Sequence, residues 1–251
     1  MTGILVLDAL SKSFSDGTQQ CQALSDISCT IGSGEIVCLM GPSGCGKSTV
    51  LRILAGLESA DSGTVRGDGC SEQGCLKTAM VFQEHGLFPW LSVFNNIAYG
   101  LTLSIRNQDS ELVNAKVSAL LHLIGMESFR SSLPHQLSGG MKQRVSVARA
   151  LAIEPEILLM DEPFSALDPF SRRELWDEVL RIRDTLQTTF FIVTHNPEEA
   201  VFLADRIVIL SPRPAVVKTI VPVDIPHPRD PLNPATVRLI QQVTVQVMGK
   251  Q

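Results

Sequence analysis

The sequence predicts an α/β fold that combines a largely parallel sheet, a small antiparallel β lobe and an inserted helical lobe. Short β-type runs alternate with helical patterns over much of the chain, which is typical of a parallel sheet. The opening stretch lacks helical periodicity and is interrupted by glycines, which favours antiparallel strands and turns. From about Val93 to Ala152 the pattern is helical.

The main sheet is predicted from short apolar runs with β-type composition. These runs are Ile36–Met40, Ala79–Phe82, Ile157–Met160, Phe190–Thr194 and Arg206–Leu210. The helical lobe is predicted over about 84–152. Its apolar side chains recur at helical spacing on one face, at Leu112, Val113, Val117, Leu120, Leu121 and Ile124.

The end of the chain changes character. Seven of the fourteen prolines fall between Pro212 and Pro234, which forbids a long helix there and favours extended or turn segments. An amphipathic stretch, Ala235–Met248, follows. We therefore predict a main domain over 1–235 and a short helical tail over 236–251.

Composition and charge exclude several classes of protein. A chain of 251 residues with 44% hydrophobic side chains has enough apolar surface for one compact domain. Its net charge of −5 argues against nucleic acid as a partner, because phosphate-backbone binding needs a positive field. The apolar runs are far shorter than the roughly 20 residues of a membrane-spanning helix. No signal-peptide pattern is found at the start, and we expect a cytoplasmic protein.

The six cysteines lie in the first third of the chain and do not resemble a disulfide framework. Reduced thiols are the simpler interpretation. Cys70 and Cys75 are close in sequence, but no second Cys or His pair follows at the spacing of a zinc site.

The strongest motif is the glycine-rich segment 41–49, which follows the predicted strand Ile36–Met40 and precedes a helical pattern. A glycine-rich turn in this position matches the P-loop pattern, whose backbone N–H groups surround phosphates at the start of a helix. A glycine-rich turn that merely precedes a helix is the alternative. In this motif the lysine, Lys47, reaches the outer phosphates, and Ser48 holds magnesium. The nucleotide-binding residues are Gly41, Pro42, Ser43, Gly44, Cys45, Gly46, Lys47, Ser48 and Thr49.

Two acidic residues end the run Ile157–Met160. A strand that delivers acids at its carboxyl end places them where α/β sheets bind ligands. We assign Asp161 to magnesium and Glu162 to the orientation and deprotonation of attacking water. A solvated acidic turn is the alternative for this motif taken alone.

A second helix start of the phosphate-binding type occurs at Ser138, Gly139 and Gly140. An ordinary serine N-cap is the alternative. The chain has two such helix starts but one set of magnesium acids. A head-to-tail dimer explains this, with each nucleotide between the P-loop of one subunit and Ser138 of the other.

His195 ends the run Phe190–Thr194 and is followed by Asn196 as an N-cap, a first-turn proline and Glu199 as a capping-box residue. This arrangement places the imidazole at the carboxyl edge of the sheet. From the pattern alone, a buried structural histidine and a functional one are both compatible with the sequence.

Together these motifs resemble the nucleotide-binding subunits of ATP-binding cassette (ABC) transporters over about residues 4–230. The resemblance rests on the following set, in the family's order: Phe14, the P-loop, Gln83, LSGG at Leu137–Gly140, ILLMDEP at Ile157–Pro163, Ser165-Ala-Leu-Asp168 and His195. It implies a RecA-like P-loop NTPase core with an antiparallel β lobe and an inserted α-helical lobe. It also implies ATP and Mg²⁺ as cofactors.

The resemblance assigns roles that the pattern alone leaves open. Phe14 would stack on adenine, and Gln83 would bind magnesium, sense the γ-phosphate and link the helical lobe to a membrane partner. His195 would contact the γ-phosphate and the catalytic Glu162, while Asp168 would couple the two sites of the dimer. Without the family, Phe14 would be interpreted as core packing and Gln83 as a solvated loop residue.

The sequence departs from the family pattern at two positions. Met141 replaces the glutamine found in many signatures, and Asn196 replaces an aspartate. Neither change removes a catalytic group. Because Asn and Asp are both good helix N-caps, the replacement at Asn196 should have little structural effect. Cys45 is a frequent choice in the family's P-loop, and if exposed it would make the site sensitive to thiol reagents.

A narrower resemblance, carried by 81–101, 203–214 and 223–231, is to the ATPases of nitrate, sulfonate and taurine importers. It implies that the chain pairs with a second ATPase subunit, either an identical copy or a close paralogue, and binds two transmembrane permease subunits. A solute-binding protein would act on it indirectly. The chain would lie peripherally on the cytoplasmic face of the inner or plasma membrane. Phe88, Pro89 and Trp90 would form part of the groove for a permease helix, although core packing is also compatible. Export or lipid-handling cassettes, soluble cassette proteins and P-loop kinases are the alternatives.

Overall fold

The computed structural model describes residues 3–15, 17, 20–67, 77–104 and 110–249. Within these ranges an antiparallel sheet of three strands has the order β2-β1-β4. Its strands are β1 (Gly3–Ser15), β2 (Gln20–Gly32) and β4 (Ser62–Gly67). This is the antiparallel lobe that the glycine-rich opening stretch predicts.

The second sheet has six described strands in the order β5-β6-β7-β3-β8-β9. All neighbours in it pair in parallel except β9, which is antiparallel to β8 at the edge. The strands are β3 (Ile36–Met40), β5 (Thr78–Val81), β6 (Ile157–Asp161), β7 (Thr189–Val193), β8 (Arg206–Leu210) and β9 (Val217–Pro222).

Helices flank this sheet on both faces. They are α1 (Lys47–Leu54), α2 (Val93–Ser104), α3 (Ser110–Leu123), α4 (Gly139–Leu151), α5 (Pro169–Leu186), α6 (Pro197–Leu203) and α7 (Pro234–Met248). Two short 3₁₀ turns, Glu127–Phe129 and Pro134–Gln136, precede α4.

The central strand β3 is buried on both faces, and successive side chains alternate between two apolar clusters. Ile36, Cys38 and Met40 pack into the cluster that includes the helices α2–α7. Val37 and Leu39 pack into the other, with α1 and the antiparallel lobe. The strand that carries the P-loop is therefore fixed from both sides.

The predicted fold class is confirmed, and the strands differ from their predicted bounds by at most one residue at either end. Residues 84–92, the first part of the predicted helical lobe, form turns and irregular chain, and helix begins at Val93. Gly86 has a positive φ of 58°, and Pro89 lacks an N–H to donate. Cys70 and Cys75 lie outside the described residues.

Candidate functional site

Three neighbouring strands of the parallel sheet deliver the predicted site residues to one edge. Strand β7 pairs with β3 on one side and β6 on the other. The P-loop follows β3, Asp161 ends β6 and Glu162 follows it, and His195 comes after β7. Because the carboxyl ends of parallel strands meet at one edge, these residues are brought together from distant parts of the sequence.

The P-loop backbone requires glycine at particular points. Gly46 is the N-cap of α1 with φ 119°, a left-handed conformation that side chains rarely adopt. A Cβ there would also lie 2.8 Å from Leu24 Cδ2 of the antiparallel lobe. This glycine therefore permits both the turn and the close approach of β2 to the loop.

The functional side chains of the P-loop face its interior. Lys47 is only 7% exposed, and its Nζ donates to the carbonyl oxygens of Gly41 at 3.0 Å and Pro42 at 3.1 Å. Ser48 Oγ donates to Asp161 Oδ1 at 3.3 Å. The ammonium group is thus held across the loop mouth, and the hydroxyl and the first acid of β6 lie side by side.

Burial raises the pKa of Asp161, and the adjacent charge of Glu162 adds to this effect. The Ser48 hydrogen bond acts in the opposite direction but does not outweigh burial. A cation beside this carboxylate would stabilise its ionised form and so offset the cost of burial.

Glu162 and His195 are in direct contact. Nδ1 of His195 lies 3.1 Å from Oε2 of Glu162. Glu162 has φ 44°, in the left-handed region that non-glycine residues seldom occupy, and its N–H donates to Val193 O at 2.9 Å. Such backbone strain concentrates at functional sites.

A depression of about 260 Å³ lies in front of these residues. Its described lining consists of Ser43, Gly44, Gly46, Lys47, Ser48, Thr49, Glu162 and Arg213. It therefore contains both the P-loop and the second acid of β6. Phe14 is an exposed aromatic on β1, paired in register with Cys21 of β2.

Gln83 is linked to the same edge of the sheet through Ser165. The amide Nε2 of Gln83 lies 3.4 Å from Ser165 Oγ, which donates to the carbonyl oxygen of Glu162 at 2.9 Å. The chain segment after β5 is therefore in contact with the segment after β6.

Ser138 forms the predicted N-cap of α4, and its Oγ accepts from the Met141 N–H at 3.3 Å. Asp168 forms the N-cap of α5 and accepts from the N–H groups of Phe170 and Ser171, each at 3.1 Å. Hydrogen bonds from Ser171 hold the pKa of Asp168 below its usual value. Ser138, Gly139 and Gly140 are not among the described residues that line the depression.

Residues 83–92 are fastened to the helices behind them. His85 Nδ1 is 2.5 Å from Gln143 Oε1, and Arg149 Nη1 donates to Gly86 O at 2.8 Å, both across to α4. Asn96, fully buried on α2, accepts from Phe88 N–H and donates to the carbonyls of Phe88, Leu91 and Ser92. The chain between β5 and α2 thus has a defined shape although it is not helical.

This fixed segment presents aromatic side chains. Phe88 is half-buried, with ring centroids 4.5 Å from Tyr99 and 5.7 Å from Trp90. Trp90 is 72% exposed. The alternative of core packing is therefore wrong for Trp90.

One expectation is corrected by the geometry, and one condition is decided by it. Asn196 is the N-cap of α6, but no capping box forms, because its N–H donates to Thr194 Oγ1 at 3.0 Å. Glu199 is instead 4% exposed, and Thr194 bonds to its carboxyl group. Cys45 is buried beneath the P-loop, and burial raises its pKa, which argues against the reactivity that exposure would give it.

Sequence reasoning gave Thr194 and Arg172 no role at the site and assigned Glu199 only to a helix cap. With Glu162 and His195 they line a small, partly open pocket of about 50 Å³. Their nearness to His195 in the sequence could have indicated Thr194 and Glu199, because Thr194 directly precedes His195 and Glu199 lies in the helix that follows.

Among the described residues, no helix combines the length and apolar character needed to cross a membrane. The same part of the chain holds no group of three or more His, Cys, Asp or Glu side chains arranged around a possible metal ion.

The sequence and fold of this chain are similar to those of known proteins. A family model described as ABC transporter matches residues 24–165. The aliphatic sulfonates import ATP-binding protein SsuB of Bacillus licheniformis is 41% identical over 92% of this chain and 89% of its own length. The sulfate/thiosulfate import ATP-binding protein CysA of Methylococcus capsulatus is 47% identical over 76% of this chain and 56% of its own length. A solved dimeric ATP-binding cassette in a post-hydrolysis state with ADP and phosphate has a TM-score of 0.76 and 29% identity, covering 88% of this chain and 99% of that one.

Proposed function

This chain belongs to the ATP-hydrolysing subunits of ABC transporters, and from that premise we propose that it powers uptake of a small anion through separate membrane subunits. Candidate anions are nitrate, a sulfonate, taurine and bicarbonate. The names of the relatives support this class, since one is an aliphatic sulfonate importer and another a sulfate/thiosulfate importer. The observation that carries the chemistry is the Glu162–His195 contact beside the P-loop.

In this proposal the P-loop holds the phosphate chain of ATP. The backbone N–H groups of 41–49 and the start of α1 supply a positive environment. Lys47 exchanges its bonds to the Gly41 and Pro42 carbonyls for the outer phosphates. Phe14 stacks on adenine from the antiparallel lobe, and its exposure leaves the ring free for this contact.

The donor set fits Mg²⁺, which prefers oxygen ligands and shares its coordination with substrate phosphates. Ser48 Oγ and the Asp161 carboxylate already lie 3.3 Å apart, and the side-chain oxygen of Gln83 is the third proposed donor. Ser48, Asp161 and Gln83 would hold the ion, which would supply neutralisation of the charge that develops on the phosphate oxygens.

Glu162 is the proposed general base. It accepts a proton from water as the water oxygen attacks the γ-phosphorus and the bond to the ADP oxygen breaks. His195 donates a hydrogen bond toward the γ-phosphate and orients Glu162 through the 3.1 Å contact. The strained backbone of Glu162, anchored to Val193, fixes where the carboxylate points.

The second phosphate-type helix start serves the partner subunit. Ser138, Gly139 and Gly140 close on the nucleotide of the opposing P-loop, so two ATP molecules are sandwiched in a head-to-tail dimer. Their position outside the depression of their own chain supports this arrangement. Asp168, at the start of α5 and three residues after Ser165, couples the two sites.

Transmission to the membrane subunits runs through 83–92. Gln83 contacts the site through Ser165, while His85 and Gly86 are bonded to α4, whose N-cap is Ser138. The exposed Trp90, with Phe88 and Pro89, forms part of the groove that receives a cytoplasmic helix of the permease. The chain would then lie at the cytoplasmic face of the membrane.

The testing experiment is uptake of labelled nitrate, taurine, alkanesulfonate and bicarbonate by host cells lacking this chain. Cells are restored with the wild type, Glu162→Gln or Asp177→Asn, which removes an exposed carboxylate on α5. We expect the wild type and Asp177→Asn to restore uptake of one anion, and Glu162→Gln to restore none. If no variant alters any uptake, the import assignment is wrong, and an export or lipid-handling partner becomes the alternative.

A further inference from the structure

The loop between β8 and β9 brings a cation to the candidate nucleotide site. Strand β8 pairs in parallel with β3, so residues that follow β8 lie beside the P-loop that follows β3. Arg213 is one of the described residues that line the depression there, together with Lys47, Ser48 and Glu162. The nucleotide-binding motifs of the sequence do not include it.

The guanidinium group of Arg213 lies between the P-loop and the β lobe. A Cβ added to Gly44 would be 4.0 Å from its Nη2, so this nitrogen faces the glycine turn of the loop. On the other side Nη1 lies 3.7 Å from Sγ of Cys21. Cys21 is paired with Phe14, which places Arg213 on the path from the P-loop to the proposed adenine contact.

The loop that carries Arg213 is anchored at both sides. Ala215 N–H donates to Ala23 O at 3.0 Å, and Ser25 N–H donates to Ala215 O at 2.8 Å. Ser211 Oγ accepts from Val216 N–H at 3.0 Å, which closes the base of the loop. A cation held by such a framework loses less conformational entropy on binding than one on a free surface segment.

Arg213 forms none of the ion pairs found among the described residues. Lys47, by comparison, is bonded to two P-loop carbonyls. The depression therefore contains a second positive group, and this group forms no ion pair with a described carboxylate. An anion placed in the depression would pair with it.

We propose that Arg213 is a further nucleotide-binding residue, which donates to an oxygen of the phosphate chain at the rim of the P-loop. The inference rests on the proposed function, because it assumes that the depression takes a nucleotide. A guanidinium group suits this role, since its planar set of donors matches phosphate oxygens. Arg213 thereby joins the β8–β9 loop to nucleotide binding.

The test is displacement of a fluorescent ATP analogue from the full chain by ATP, ADP and adenosine. Arg213→Ala is compared with Arg213→Lys and with Arg66→Ala, which removes an exposed cation from β4 at the opposite edge of the small sheet. Thermal unfolding of each variant verifies that the chain is folded. Arg213→Ala is expected to weaken ATP and ADP binding about tenfold, the effect of losing one charge-assisted hydrogen bond.

Adenosine binding should be unchanged by Arg213→Ala, and Arg213→Lys should keep part of the lost affinity. Arg66→Ala should bind all three ligands like the wild type. The inference is overturned if folded Arg213→Ala binds ATP within twofold of the wild type, or if adenosine loses as much affinity as ATP. A wild-type chain that binds no ATP overturns the proposed function itself, which is a distinct result.

Discussion

His195 Nδ1 and Glu162 Oε2 lie 3.1 Å apart, although 32 intervening residues separate the two side chains in the sequence. The contact follows from the register of two parallel strands, in which Asp161 of β6 is paired with Val193 of β7. Glu162 then turns into the left-handed region while its N–H remains bonded to Val193. The carboxylate and the imidazole are therefore positioned by the backbone before any nucleotide binds.

Glu162→Gln is expected to lower ATP turnover at least about 100-fold, because removal of a general base typically costs 10²–10⁴ in rate. Glutamine keeps the size of the side chain but cannot accept the proton. With ATP present, the variant should therefore elute as a nucleotide-bound dimer. Size-exclusion chromatography and phosphate release are the measurements, with Asp177→Asn as the control. Monomeric elution with ATP, or turnover near that of the wild type, would contradict the role given to Glu162.

Asp161→Asn is expected to raise the Mg²⁺ concentration needed for half-maximal ATP hydrolysis by at least about tenfold, since a charged oxygen ligand is replaced by a neutral one. Burial disfavours the carboxylate of Asp161 in the absence of a cation, so thermal stability without nucleotide should not fall. Mg²⁺ titrations of hydrolysis and melting curves in EDTA are the two measurements. An unchanged Mg²⁺ requirement would remove Asp161 from the metal site.

The sequence allowed the strands and the P-loop to be predicted because each depends on local pattern. Strand β3 has apolar residues at every position, and the glycines of the P-loop follow it directly. The surroundings of Glu199 could not be predicted in this way. Its position fits a capping box, but Thr194 takes the Asn196 N–H, and the Glu199 carboxyl group turns into the interior. Whether the Asn196 N–H bonds to Glu199 or to Thr194 depends on packing against other parts of the chain.

The same limit applies to Cys45 and to residues 84–92. A thiol in a P-loop can be exposed or buried, and Cys45 is buried because it joins an apolar cluster that includes side chains of β2 and β8. The course of 84–92 is set by Asn96, whose side chain bonds to three carbonyls of that segment. Nothing in the spacing of Asn96 indicates this role.

Glu199 is expected to make stability depend on pH. Burial raises its pKa from 4.5 to about 8, so between these values the folded chain binds more protons than the unfolded chain. The free energy of unfolding should therefore decrease as pH rises through this range, by roughly 1 kcal/mol per pH unit from this group. Glu199→Gln removes that contribution and should flatten the slope.

Urea unfolding between pH 5 and pH 8 measures the difference between wild type and variant. Glu178, whose pKa burial raises to about 7, adds to the wild-type slope, and His227, whose pKa burial lowers to about 4, opposes it in the acidic part. Both remain in the Glu199→Gln variant, so the difference isolates Glu199. Glu198→Gln, at the exposed neighbouring position, serves as the control and should keep the wild-type slope. If the free energy of unfolding has the same pH dependence in the wild type and in Glu199→Gln, the raised pKa of the buried Glu199 carboxyl is contradicted.

Trp90→Ala is expected to separate membrane docking from ATP chemistry. Trp90 is 72% exposed and stands on a segment that Asn96 and α4 hold in shape, so its loss should leave the ATPase activity of the isolated chain unchanged. A large aromatic at the centre of an interface can contribute about 2 kcal/mol or more, and co-purification with the permease subunits should fall at least about tenfold. Leu232→Ala, which truncates an 84% exposed side chain before α7, is the matched control and should co-purify normally. If both variants co-purify like the wild type, the aromatic segment is not the permease contact, and the groove must be sought on another face of the helical lobe.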